Sequence, residues 1–183
     1  MPEQLDTATD ATGSWGARFA GGIVAGILAA ILMMGWMIWY SSAIGEGSTM
    51  PLKAMGALVY GIEALVAGTP AIAAGVGIQL GFSIALGIVF GLLLSRRTSL
   101  VLALILGILV GIAIWLAMDL YVLPFMDPTM AARIALMPMA YFVAHVLFGI
   151  GLGMTPLFIR AFSGTRGRGT RRIEHPSQPL AIP

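Results

Sequence analysis

Four long apolar runs, at about 19–40, 70–94, 100–123 and 135–159, decide most of what this chain can become. A helix needs roughly 20 apolar residues at about 1.5 Å each to cross a hydrocarbon core of about 30 Å, and each run is long enough. Composition agrees. Apolar residues make up 58% of the 183 and charged residues 10%, against about 25% charged in a soluble domain. So few charges cannot cover the surface of a water-soluble fold, so the solvent for most of the chain is lipid. The expected fold is an all-α, polytopic four-helix membrane bundle within 15–160.

Orientation follows from the cations. If the loops alternate sides, one side receives Arg18, Arg96, Arg97, Arg160, Arg166, Arg168, Arg171 and Arg172, and the other only Lys53 and Arg133. The positive-inside bias then places the polar N-terminal tail (1–14) and the C-terminal tail in the cytoplasm. Trp36, Trp39 and Tyr40 fall at the outer interface, where amphipathic rings are favoured. Glu3, Asp6 and Asp10 precede the first run, so its start lacks the positive region of a removable signal and reads as an anchor. The pI of about 9.4 comes from cations flanking apolar runs and does not point to nucleic acid.

Two segments lie outside the spans. Within 51–68, Leu52, Met55, Val59, Ile62 and Val66 recur at helical spacing, interrupted by Lys53 and Glu63. The spacing predicts an interfacial helix across the outer mouth of the bundle; a re-entrant hairpin is the alternative. The segment 161–183 is glycine-rich and basic, carries Arg166, Arg168, Arg171 and Arg172, and has too few apolar residues to bury a core. It is expected to be disordered and drawn to anionic lipid headgroups.

Helices in lipid associate through small residues that let backbones approach. Each span carries four-residue glycine spacing: Gly22 and Gly26; Gly77 and Gly81, then Gly87 and Gly91; Gly107 and Gly111; Gly149 and Gly153. These ten are the expected packing positions, within one chain or between copies in a homo-oligomer or larger membrane complex. Pro138 is expected to kink the fourth helix.

Ionisable and polar groups inside a bilayer are costly and therefore candidates for function. Reckoned along straight helices from the outer ends, Asp119 lies about 7 Å deep, Tyr141 about 10 Å, Gln79 about 13 Å and His145 about 16 Å. With Ser83 beside Gln79, these residues are the candidate polar cluster, a ladder suited to a proton or small solute. The plainer readings are interhelical hydrogen bonds for His145 and Gln79, and for Asp119 contact with water or pairing with Arg133.

Other chemistry finds little footing. The sequence has no cysteine, two histidines, no phosphate-binding glycine loop and no nucleophile elbow. Neither catalytic residues, a metal site nor a cofactor is expected. The twelve methionines read as packing residues.

From the third span onward the chain resembles the YagU-like small bacterial inner-membrane proteins, whose function is unassigned. The residues that carry the likeness are Gly111-Ile112-Ala113-Ile114-Trp115, Val122-Leu123-Pro124 and Ala144-His145-Val146-Leu147-Phe148-Gly149, with Gly151 and Gly153. Similar members often have a histidine in the second span where this chain has Gln79, a departure that speaks against a two-histidine site. The resemblance implies a helical bundle in a bacterial cytoplasmic membrane. Residues and resemblance together lead to an expected non-enzymatic structural protein or accessory subunit; the alternative is a small oligomeric transporter or channel using the polar ladder.

Overall fold

The computed structural model describes residues 3–95 and 98–166, and these contain helices and no strand. The elements are α1 (Glu3–Ala43), α2 (Met50–Tyr60) with a 3-10 turn (Gly61–Leu65), α3 (Thr69–Leu93) and α4 (Leu100–Ala117). A π turn (Met118–Val122), α5 (Leu123–Met126), α6 (Pro128–Leu136), α7 (Pro138–Gly153) and α8 (Thr155–Arg166) complete the chain. Four helical stretches are long and apolar enough to cross a membrane: Trp15–Ala43, Thr69–Leu93, Leu100–Met126 and Pro138–Ser163. The chain is a multi-pass membrane protein. Helix is the form such runs take because each backbone N–H finds its acceptor within its own segment.

Local sequence sets the ends of the spans. Positive φ at Gly45 and Gly47 turns the chain out of α1. Thr69 and Pro70 open α3, where the missing proline N–H costs nothing. Ser99 caps α4, its Oγ accepting from the Leu102 N–H at 3.2 Å.

Three prolines act differently from a simple kink. Pro124 does not end the third span; the helix widens at 118–122, where the Leu123 N–H reaches back five residues to the Met118 carbonyl, and continues to Met126. Pro138 does not kink a continuous helix from 135 but begins one, because Met137 adopts φ −141° and ψ 57° and separates α6 from α7. Pro156 cannot serve the Leu152 carbonyl four residues back, and the Thr155 hydroxyl donates to that oxygen instead, at 2.5 Å.

The helices pack in the spatial order α3, α1, α7, α4, with α8 continuing α7 along α1. Neighbours meet backbone to backbone. A Cβ on Gly22 would lie 2.9 Å from the Ile88 Cα, and one on Gly26 2.9 Å from the Ile84 Cα. Gly87 faces Gly26, and Gly91 faces the Arg18 carbonyl. Gly107 and Gly111 interlock in the same way with Gly149 and Gly153 to join α4 to α7, while Gly151 and Gly21 bring α7 and α8 onto α1.

Gly77 and Gly81 are different: a Cβ on either would meet nothing within 4 Å, so they pack against nothing in this chain. The packing glycine in that part of α3 is Gly75, whose missing Cβ makes room for Leu52 of α2. With Gly56 seated against Ala71, these contacts run α2 antiparallel to the first two turns of α3. The segment therefore does not lie free across the bundle mouth. It buries the small residues Ala54, Gly56 and Ala57 and leaves Val59, Ile62 and Val66 exposed, Val66 at 88%.

Arg18 and Arg160 sit at one end of the bundle, where Gly91 meets Arg18 and Gly21 meets Ile159. Lys53, Arg133 and the mutually tilted rings of Trp36 and Trp39, with centroids 5.2 Å apart, sit at the other. Residues 161–166, expected within the disordered tail, form the end of α8. The expected headgroup contacts of Arg168, Arg171 and Arg172 fall outside the described residues, as does the disorder beyond 166.

Candidate functional site

α3 and α4 follow one another in sequence yet make almost no direct backbone contact, because α1 and α7 stand between their packing faces. Between them is a lateral cavity of about 230 Å³. Ile78, Gln79, Phe82, Ser83 and Leu86 form the α3 wall, and Ile114, Met118 and Val122 the opposite one. Met33 of α1 and Tyr141, His145 and Phe148 of α7 form the back. At the Arg18 end, the cluster of Phe90, Leu94, Ala103, Phe148 and Leu152 closes the space.

Four of the five residues proposed as a polar cluster from sequence line this cavity: Gln79, Ser83, Tyr141 and His145. All four are buried. The Gln79 amide donates to the Ser83 hydroxyl at 3.3 Å and to the Met33 sulfur at 3.4 Å. The Tyr141 hydroxyl donates to the Met130 sulfur at 3.4 Å. His145 Nδ1 stands 2.8 Å from the Tyr141 carbonyl, which can only accept. The Nδ1 proton therefore points to that carbonyl, and Nε2 carries the free lone pair.

Asp119 does not join them. It lies half-buried in the π turn while its neighbours Met118 and Val122 line the cavity, so the ladder has no carboxylate rung. Its suggested pairing with Arg133 does not form either. Arg133 makes an ion pair with Glu46, and both side chains meet the Ser41 hydroxyl at 3.1 Å. Ser41 is fully buried, so this knot ties the end of α1 to α6 at the edge of the bundle.

Nearby, Asp127 caps α6 through the Met130 N–H at 2.9 Å. Burial pushes its carboxyl above the usual range, against the opposing pull of the Met130 and Thr129 backbone bonds. A further tie joins α1 to α7, the Trp36 indole donating to the Ala140 carbonyl at 2.9 Å.

Sequence reasoning missed the Ser41–Glu46–Arg133 knot, whose members come from distant segments, and the gathering of Met33, Met55, Met118, Met126 and Met130 on one cavity. No periodicity marks residues that converge from five elements. Among the described residues no group of three or more histidine, aspartate or glutamate side chains is placed to hold a metal ion. Compared with models of known protein families, with curated proteins and with solved structures, the chain matches none.

Proposed function

We propose that this chain is a non-enzymatic structural protein or accessory subunit of a membrane assembly, in a bacterial cytoplasmic membrane with both termini inside. It is read as kin to the YagU-like proteins, with its basic tail on anionic lipid. The supporting observation is the unused glycine face of α3. Every other four-spaced glycine pair in the spans meets a neighbouring backbone, whereas Gly77 and Gly81 meet none and are exposed with Ala73 and Ala85 at the same spacing. A glycine inside a helix costs about 1 kcal/mol relative to alanine, and lipid gives nothing back for it. A second copy or a partner helix packed there would. Extraction in mild detergent followed by mass measurement of the intact assembly tests this. A stoichiometric second copy or partner, released by Gly77→Leu, is expected; a homogeneous monomer would reject the reading.

The transporter reading draws on a different observation, the four polar side chains on one cavity. Against it, the Phe90 and Phe148 layer interrupts any path to the Arg18 end. Proton flux into proteoliposomes that is unchanged by His145→Phe would remove it.

A further inference from the structure

The lateral cavity holds a chemical asymmetry that packing alone leaves without a purpose. Its walls are apolar, with methionine and leucine prominent, and neither a cation nor a carboxylate lines it. Yet His145, only 7% exposed, presents an Nε2 lone pair to it, and no described residue donates to that nitrogen. The Gln79 side-chain oxygen likewise accepts no hydrogen bond from the described residues. Both acceptors border the cavity and meet no protein donor, so a hydrogen bond of about 1 kcal/mol favours an entrant that carries a proton to donate. The space opens sideways: Phe82 is 49% and Met126 62% exposed at its rim, while the Arg18 end is shut. In a bilayer that sideways opening, on two spanning helices, faces lipid.

We propose that the groove between α3 and α4 binds a neutral, long-chain lipid whose head carries a hydroxyl group, the hydroxyl donating to His145 Nε2 and the chain leaving past Phe82 and Met126. Neutrality follows from the uncharged walls, since a phosphate or carboxylate head would find no counter-charge there. The hydroxyl follows from the acceptor. The size fits a head and the first part of a chain: at about 230 Å³ the cavity is smaller than the roughly 300–1,000 Å³ that encloses a whole drug-sized ligand. The thioethers of Met33, Met118 and Met126 give walls that adapt to a flexible chain. The site is independent of the assembly face, because Gly77 and Gly81 lie about half a turn around α3 from Gln79.

The test uses the full-length protein in nanodiscs and a diazirine-bearing hexadecanol as photoprobe. Unlabelled hexadecanol and its methyl ether compete; the ether has the same chain and no proton to donate. We expect labelling of peptides containing Phe82 or Met126, with the alcohol competing about tenfold better than the ether. Ile114→Trp fills the groove without touching a polar group and should abolish labelling. His145→Leu should make the two competitors equal, and His145→Gln, which keeps an acceptor, should restore the difference. Equal competition by alcohol and ether in the unaltered protein, or undiminished labelling of Ile114→Trp, overturns the proposal; neither measurement depends on the folding of a His145 variant. Disulfide cross-linking between copies through Phe82→Cys and Met126→Cys would show the groove filled by a second chain and would equally overturn it. Loss of assembly on Gly77→Leu with the alcohol preference intact would separate this site from the oligomer.

Discussion

Gly149 and Ile108 are held backbone to backbone: a Cβ on the glycine would stand 2.6 Å from the Ile108 Cα. A rigid helix leaves no side chain to move aside. Gly149→Ala should therefore force α4 and α7 apart and cost about 1–3 kcal/mol. Gly77→Ala has open space around its new methyl group and should leave monomer stability unchanged or raise it by up to about 1 kcal/mol. Denaturant unfolding in detergent micelles distinguishes the two.

Arg133 and Glu46 should respond unequally to loss of the partner. The Arg133 side chain is 10% exposed and that of Glu46 30%. Glu46→Ala leaves a nearly buried guanidinium without its paired carboxylate, beside only the hydroxyls of Ser41 and Tyr141, whereas Arg133→Met leaves a carboxylate that reaches water. The first should cost about 2–4 kcal/mol and the second about 1 kcal/mol. Equal losses in thermal unfolding would mean that the pair lies more evenly in water than its exposures indicate.

Asp127 gives a pH dependence of definite sign. Its carboxyl is raised above 3.8 in the folded chain, so the folded state holds the proton more tightly. The stability this contributes is full below 3.8 and is lost as pH rises through the folded-state value. Asp127→Asn keeps a capping oxygen for the Met130 N–H and has nothing to titrate. The variant should gain on the unaltered protein across that window in melting curves, while Asp127→Ala, which also has nothing to titrate, should lie about 1 kcal/mol below Asp127→Asn at every pH.

The absence of cysteine makes topology directly measurable. Ile62→Cys, at an exposed position within the 3-10 turn, should react with a membrane-impermeant maleimide on intact cells. Ser163→Cys should react only after permeabilisation. The reverse pattern would invert the orientation inferred from the arginines.

The spans were legible because lipid tolerates so few charges that their boundaries are written in arginine and proline. The glycine contacts were legible in part. Four-residue spacing says which glycines share a face but not what lies opposite, so Gly77 and Gly81 read the same as Gly87 and Gly91 although only the latter pair meets a helix. The α2 segment was legible as a helix, though not in what it buries, for a related reason. The spacing of its large apolar residues marks a helix, but the residues it buries are the small ones, Ala54, Gly56 and Ala57, while Val59 and Ile62 are left exposed. Depth along an unbroken helix put Asp119 in line with Tyr141 and His145, and the five-residue reach at Leu123 breaks that reckoning. The convergence of Gln79, Ser83, Tyr141 and His145 was readable because each lies inside a span, where few other polar side chains occur.

That α3 pairs with α1 and α4 with α7 also has a meaning in time. Synthesis runs from the amino end, so α1 finds its glycine partner as soon as α3 emerges. α4 comes next and must wait in the bilayer until the last span arrives. The chain is thus born as one finished hairpin-like couple followed by a solitary helix, and the final segment, touching α1 through Gly151 and α4 through Gly149, is the keystone that converts two separate events into a single body.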